Sequence, residues 1–309
     1  GLLVMAAIAS MDYTVWRLHA PKILLFSLLL LLLVLVWGST VNGARRWLSV
    51  GWMAIQPTEL AKLAVVLYLA RYLSKEQACL TEWKRGLLPP LVIVSLVAGL
   101  VLAEPDYGNA IVLCLLLFGM LYLAGAKIRH LLVLSVPIML GFLGLLYASP
   151  ERWERMTTFW DPWKDARGGG YQLVQSFAAL GNGGLFGVGL GQGKQKLLYL
   201  PEGHTDFVLA LIGEELGFAG TVTLLTLFAI LIGKGFRIAH RAHDPFGRNL
   251  AQGIALLLGI EVLINSGVVS GLLPTKGLTL PLVSYGGSSL LTSLAAMGML
   301  ISVARRYSP

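Results

Sequence analysis

Residues 22–37, "KILLFSLLLLLLVLVW", decide the fold. After Lys22 the run carries no charge, and a membrane-spanning helix needs roughly 20 mostly apolar residues. The run is too long and too uniformly apolar for a barrel strand, which alternates over about ten residues. Outward from it, comparable runs recur at 1–10 (cut short), 57–73, 87–103, 107–124, 130–148, 207–232, 249–272 and 286–304. Apolar residues make up 56% of the chain and charged ones 13%, where a soluble domain carries about a quarter charged. The mean hydropathy is +0.74. These values predict an all-α, polytopic helical membrane bundle, with residues 1–309 forming one transmembrane domain.

The formal charge of +8 raises nucleic acid as a partner, but no DNA- or RNA-binding motif accompanies it. Basic loops beside anionic lipid account for it. Loops 11–22, 71–86, 125–130, 233–248 and 304–309 are denser in Lys and Arg than those on the other side. The positive-inside rule puts them in the cytoplasm, and loop 149–206 outside. The two cysteines, Cys79 and Cys114, fall at different membrane levels and read as free thiols. The opening "GLLVMAAIAS" has neither an initiator Met nor a basic flank. It reads as the tail of a membrane helix already under way, with N-terminal sequence missing.

Loop 149–206 is the largest extracytoplasmic feature expected. Its three tryptophans suit the interface. Its stretch "SFAALGNGGLFGVGLGQGKQK" is rich in glycine, yet the phosphate-loop spacing fails: Val188 stands five residues before Gly193, and Gln195 follows Lys194. A tightly turned loop on the membrane is expected, with Lys194 and Lys196 available to an anionic headgroup. No internal repeat of 20–50 residues and no matching pair of broken helices appears.

Charge within a bilayer is costly and faces protein or a water-filled cavity, so buried charges form the short list of candidates. In "QPTELAKL" Glu59 and Lys62 lie i,i+3 on one helix face, as a structural ion pair or as the lining of a polar cavity. "AEPDYGNA" (103–110) puts two carboxylates in a Pro/Gly turn, expected to be solvated, with Asp106 as a candidate for an acid/base or cation site. "GARRWL" offers Arg45 and Arg46, either snorkelling beside Trp47 or gripping a phosphate. "YLPEGHTDFVLALIGEELG" (199–217) carries Glu202, His204, Thr205, Asp206, Glu214 and Glu215. Thr205 or Asp206 suits the cap of helix 207–232. The convergence of Glu202, His204 and the long loop also makes Asp206 a catalytic candidate. Glu214 falls nearly above Asp206 in a continuous helix and is expected to support the helix interior. "LLPTKGLTLPLVSYGGSSLL" (272–291) adds Lys276 and the cap candidates Ser288 and Ser289.

In chain order, "GARRWL", "IQPTELAKL", "EPDYG", "FWDPWKD", "GYQLVQS", "YLPEGHTDF", "GEELG" and "LPTKGLTLPLVSYGGSS" resemble the SEDS family (shape, elongation, division and sporulation proteins) over nearly the whole chain, and its division branch best. The resemblance implies a ten-helix bundle, here with its first helix absent and its second partial. It further implies a peptidoglycan glycosyltransferase that polymerises lipid II at the outer face of the bacterial inner membrane, at the division septum. It places the essential general base on Asp206 and the polar cavity on Glu59 and Lys62. Arg45, Arg46, His204, Thr205, Lys196, Lys276 and Ser288 are the remaining expected substrate contacts. A divalent cation, Mg or Mn, is an expected aid to the pyrophosphate. The expected partners are a class B penicillin-binding protein of the FtsI type and other divisome proteins. A lipid II flippase and a non-catalytic divisome scaffold are the rival readings.

Overall fold

A computed structural model describes residues 1–41, 44–51, 53–75, 80, 82–147, 150–197 and 199–307; Cys79 lies outside them, and Cys114 is a free thiol. Among these residues there are eleven α-helices: α1 (Leu2–Ser10), α2 (Thr14–Trp37), α3 (Pro57–Lys75), α4 (Leu88–Ala103), α5 (Tyr107–Leu123), α6 (Ile128–Tyr147), α7 (Pro150–Trp160), α8 (Tyr171–Gly183), α9 (Val208–Arg241), α10 (Pro245–Val269) and α11 (Gly287–Tyr307). Six helical stretches are long and apolar enough to cross a membrane, and α5 is a shorter apolar helix. The polytopic helical reading holds.

Two expectations are refined. The connection between α2 and α3 is an antiparallel sheet of β1 (Ser39–Val41), β2 (Ala44–Val50) and β3 (Met53–Ile55), in that order. Ser39 faces Trp47, and Leu48 faces Ile55. Loop 149–206 is partly helical, holding α7 and α8.

Contacts divide the chain into two compact units. The first comprises Gly1–Ile128, Ile230–Ile260 and Gly286–Pro309. Its centre is α3, whose Ala61, Ala64, Val65, Val66, Leu67 and Leu69 are fully buried. α2 and α5 pack on this helix. Glycine allows a close helix approach at Gly298 of α11, where an added Cβ would meet the Met5 carbonyl of α1 at 2.7 Å. The second unit comprises Arg129–Ala229 and Glu261–Tyr285. It contains α8, the start of α9 and the loop after α10. Within it, Ser176 of α8 donates to the Val269 carbonyl at 2.8 Å.

α9 is not one continuous helix. Gly217 sits at φ 68°, ψ −167°, a conformation glycine adopts without steric penalty. Breaking the ladder there frees backbone groups, and each must find a partner. Phe218 and Ala219 donate to the carbonyls of Gly184 and Leu185, at 2.8 and 3.0 Å. Val188 and Gly189 donate to the carbonyls of Glu214 and Glu215, at 3.0 and 3.1 Å. The glycine-rich segment thus completes the interrupted helix, which explains its composition without any phosphate.

Candidate active site

The predicted site residues fall in both units. In the second unit, Asp206 lies on a turn just before α9. The amides of Thr205, Asp206 and Phe207 all converge on the Glu202 carbonyl, at 3.2, 3.0 and 3.2 Å. Glu202 itself has φ 54°, a left-handed conformation that costs a non-glycine residue about 1–3 kcal/mol and persists only where surroundings hold it. The Thr205 hydroxyl donates its hydrogen to Glu202, with Oε2 at 2.8 Å, a further bond within the turn. His204 is exposed, and Thr205 and Asp206 are half-buried. A cavity of about 410 Å³ opens along Lys196, Leu200, Pro201, Glu202, Gly203, His204 and Thr205.

The loop after α10 closes against this turn. Tyr285 N–H donates to the His204 carbonyl at 2.9 Å. Ser284 donates its hydroxyl to the Thr205 carbonyl and accepts from Leu280 N–H at 2.8 Å. A Cβ added at Gly277 would stand 2.7 Å from Asp206 Oδ2, so a larger residue there would displace the carboxylate. Lys276, beside it, is half-buried.

Glu214 and Glu215 do not act as supports inside a continuous membrane helix. They precede the break at Gly217 and hold the glycine-rich loop. Glu214, fully buried, accepts the N–H groups of Lys194 and Gln195, each at 3.1 Å. Glu215 accepts from Gly191 N–H at 3.0 Å and pairs with Lys196 Nζ at 2.8 Å. Lys196 is therefore committed to Glu215 and presents less charge to a ligand than expected. Lys194 is exposed.

In the first unit, Lys62 Nζ lies 2.9 Å from Glu59 Oε1, with both side chains buried, as the i,i+3 spacing predicts. The turn at 103–106 departs from expectation: it is not solvated, and Glu104 and Asp106 are 0% and 3% exposed. Arg46 folds it inward, donating Nε to the Glu104 carbonyl at 3.1 Å and a second nitrogen to the Pro105 carbonyl. Thr58 donates to Glu104 Oε2 at 3.1 Å, and Glu104 Oε1 has no partner. Burial, opposed by the Thr58 hydrogen bond and aided by the Asp106 charge, pushes the Glu104 carboxyl up to about 8.

Asp106 caps α5, accepting Asn109 N–H at 3.2 Å and Asn109 Nδ2 at 2.8 Å. Both its oxygens are engaged by Asn109. Among the described residues no group of three His, Cys, Asp or Glu is placed to hold a metal. Arg45 is exposed. Ser288 accepts from Gln56 N–H at 3.0 Å, tying the start of α11 to the end of the sheet.

The sequence reading missed Glu261 and Asn265, which lie one turn apart on α10 with exposures of 6% and 1%. Two polar residues at i,i+4 inside an apolar run were the available signal.

The family model FTSW_RODA_SPOVE, described as cell cycle protein, matches residues 1–308. A probable peptidoglycan glycosyltransferase FtsW from Geobacter sp. (strain M18) is 44% identical over 99% of this chain and 84% of its own length. Stage V sporulation protein E from Bacillus subtilis (strain 168) is 43% identical over 99% of this chain and 84% of its own. A chain in a solved structure titled for coordination of polymerization and crosslinking by a peptidoglycan synthase complex superposes with TM-score 0.84. It is 33% identical and covers 99% of this chain and 86% of that one. With its fold, its motifs and nearly its whole length matched, the chain belongs to the FTSW_RODA_SPOVE family of cell cycle proteins.

Proposed function

We propose that this chain is a membrane-embedded peptidoglycan glycosyltransferase that polymerises lipid II, with Asp206 as the general base. The observation that carries the assignment of the base is the turn at 202–206. It holds the half-buried Asp206 one residue beyond the lining of a cavity of about 410 Å³ and is anchored by the loop at 277–285. Polymerisation joins the acceptor sugar's 4-oxygen to the donor's anomeric carbon. The bond from that carbon to the pyrophosphate oxygen breaks, and its electron pair leaves with the undecaprenyl pyrophosphate. The acceptor proton passes to Asp206, a role that needs a carboxylate within hydrogen-bond reach of the hydroxyl. The leaving group is already a stable anion, so a second acid is not required.

His204 and Thr205, which precede the base in the chain, and Lys276, next to Gly277, would bind sugar or phosphate oxygens. Arg45, exposed on the sheet, is the freer of the two arginines to meet the pyrophosphate. The buried Glu59–Lys62 pair is assigned to a polar lining within the first unit. Work at an outer membrane face follows from the basic loops on the other side. The proposed partner is a class B penicillin-binding protein of the FtsI type, within the divisome at the septum; membership of the matched chain in a peptidoglycan synthase complex supports that reading. No step is assigned to a metal.

Polymerisation of purified lipid II by the purified protein in detergent, with and without the penicillin-binding partner, tests the proposal. Glycan strands are expected. Transbilayer movement of lipid II in vesicles without any polymer would favour a flippase. Polymer formed by the partner alone would favour a scaffold.

A further inference from the structure

Three consecutive carbonyls of the catalytic turn are each taken by a different donor from the segment 265–285. Tyr285 N–H holds His204, the Ser284 hydroxyl holds Thr205, and Asn265 Nδ2 holds Asp206 itself at 2.8 Å. The same Asn265 nitrogen donates its second hydrogen to the Leu278 carbonyl at 2.7 Å. One amide group therefore joins the backbone of Asp206 to the backbone next to Gly277, where an added Cβ would stand 2.7 Å from Asp206 Oδ2. We infer that Asn265 is a positioning residue for Asp206, fixing where the base's carboxylate stands relative to the 277–285 loop; this rests on the reading of Asp206 as the general base.

The chemistry of the amide fits the task. Only a side chain with two hydrogens on one nitrogen bridges two carbonyls in this way. An aspartate there would face both carbonyls with acceptors. A leucine of similar size would leave both unpaired. Asn265 sits on α10, one of the most deeply packed helices, so the bridge refers the base to a rigid element and not to loop backbone alone. Its Oδ1 is buried without a hydrogen-bond partner.

A general base transfers a proton only over hydrogen-bond distance, and a misplacement of about 1 Å costs on the order of a hundredfold in rate. Loss of the bridge should thus act on turnover, not on substrate capture. The test uses the full chain polymerising purified lipid II, comparing Asn265→Ala with Asn265→Ser, which keeps one donor. Melting temperature and the pH profile of turnover are recorded for each. The expected order of kcat is wild type, then Ser, then Ala, with Ala about 10–100-fold down and KM for lipid II within about twofold. The acid limb of the pH profile should move, because it reports the base's surroundings.

Unchanged kcat in folded Asn265→Ala overturns the inference. So does a kcat loss that follows melting temperature with the acid limb in place. Failure of both variants to fold would make Asn265 a core residue alone and equally overturn it. Asp206→Asn run alongside separates the two layers. An active Asp206→Asn removes the base itself, whereas an inactive one beside an unaffected Asn265→Ala removes only the positioning role.

Discussion

Thr58 donates its hydroxyl hydrogen to Glu104 Oε2 at 3.1 Å, joining the first turn of α3 to the turn that follows α4. Both side chains are fully buried. The neutral acid suits this position, since a charged carboxylate out of water is costly.

The first prediction is a pH dependence. The folded protein keeps the Glu104 proton up to about pH 8, while the unfolded chain releases it near 4.5. Between those values the folded state binds more protons, so stability falls as pH rises across that window and levels off above it. The total is a few kcal/mol at most, at about 1.4 kcal/mol per unit. Glu104→Gln keeps an acceptor for Thr58 and should flatten this slope. Parallel stability curves for the two proteins between pH 5 and 8 would remove Glu104 from the account.

The Glu59–Lys62 pair predicts an asymmetry. Removing one partner strands the other charge in the interior, at a cost of about 3–5 kcal/mol. The charge swap Glu59→Lys with Lys62→Glu should restore thermal stability more fully than polymerisation. If the swap restores both together, and the single variants lose both in proportion, the pair serves only to hold the fold.

Glu214 and Glu215 differ in what they hold. Glu214→Gln places an NH₂ group against a backbone N–H that now meets an acceptor, with a cost of about 1–3 kcal/mol. Glu215→Gln breaks a partly exposed ion pair worth about 1 kcal/mol or less. Hydrogen exchange across residues 187–197 should quicken strongly in the first variant and weakly in the second. Equal protection in both would show that the loop is held by its backbone bonds alone.

Arg45 and Arg46 are adjacent but have separate roles. Arg46→Gln releases the turn at 104–105 and should lower the melting temperature. Arg45→Gln should leave stability unchanged and weaken the apparent affinity for lipid II. Thermal melts and lipid II titrations on both variants decide this; an unchanged affinity in Arg45→Gln would take the arginine out of the substrate site.

Where a signal is local in the chain, the sequence disclosed the structure. The apolar runs marked the helices, and the i,i+3 spacing of Glu59 and Lys62 gave the pair. The break at Gly217 was hidden because its compensating partners, Gly184 to Gly189, lie about 30 residues earlier along the chain. Likewise "AEPDYGNA" reads as a solvated turn until Arg46 and Thr58, distant in sequence, fold over it. Asn265 is marked in the sequence only as polar, with Glu261, within an apolar helix; its role rests on two carbonyls brought to it by tertiary structure. Motifs located the candidate base, but they did not show what holds it.

Polymerisation of purified lipid II by Asp206→Asn tests the central claim most directly. Asparagine keeps the size of the side chain and the backbone carbonyl that Asn265 holds, and removes only the proton acceptor. The account predicts a folded protein that still copurifies with its penicillin-binding partner and has lost polymerisation by at least about a hundredfold. Turnover near that of the wild type would contradict it.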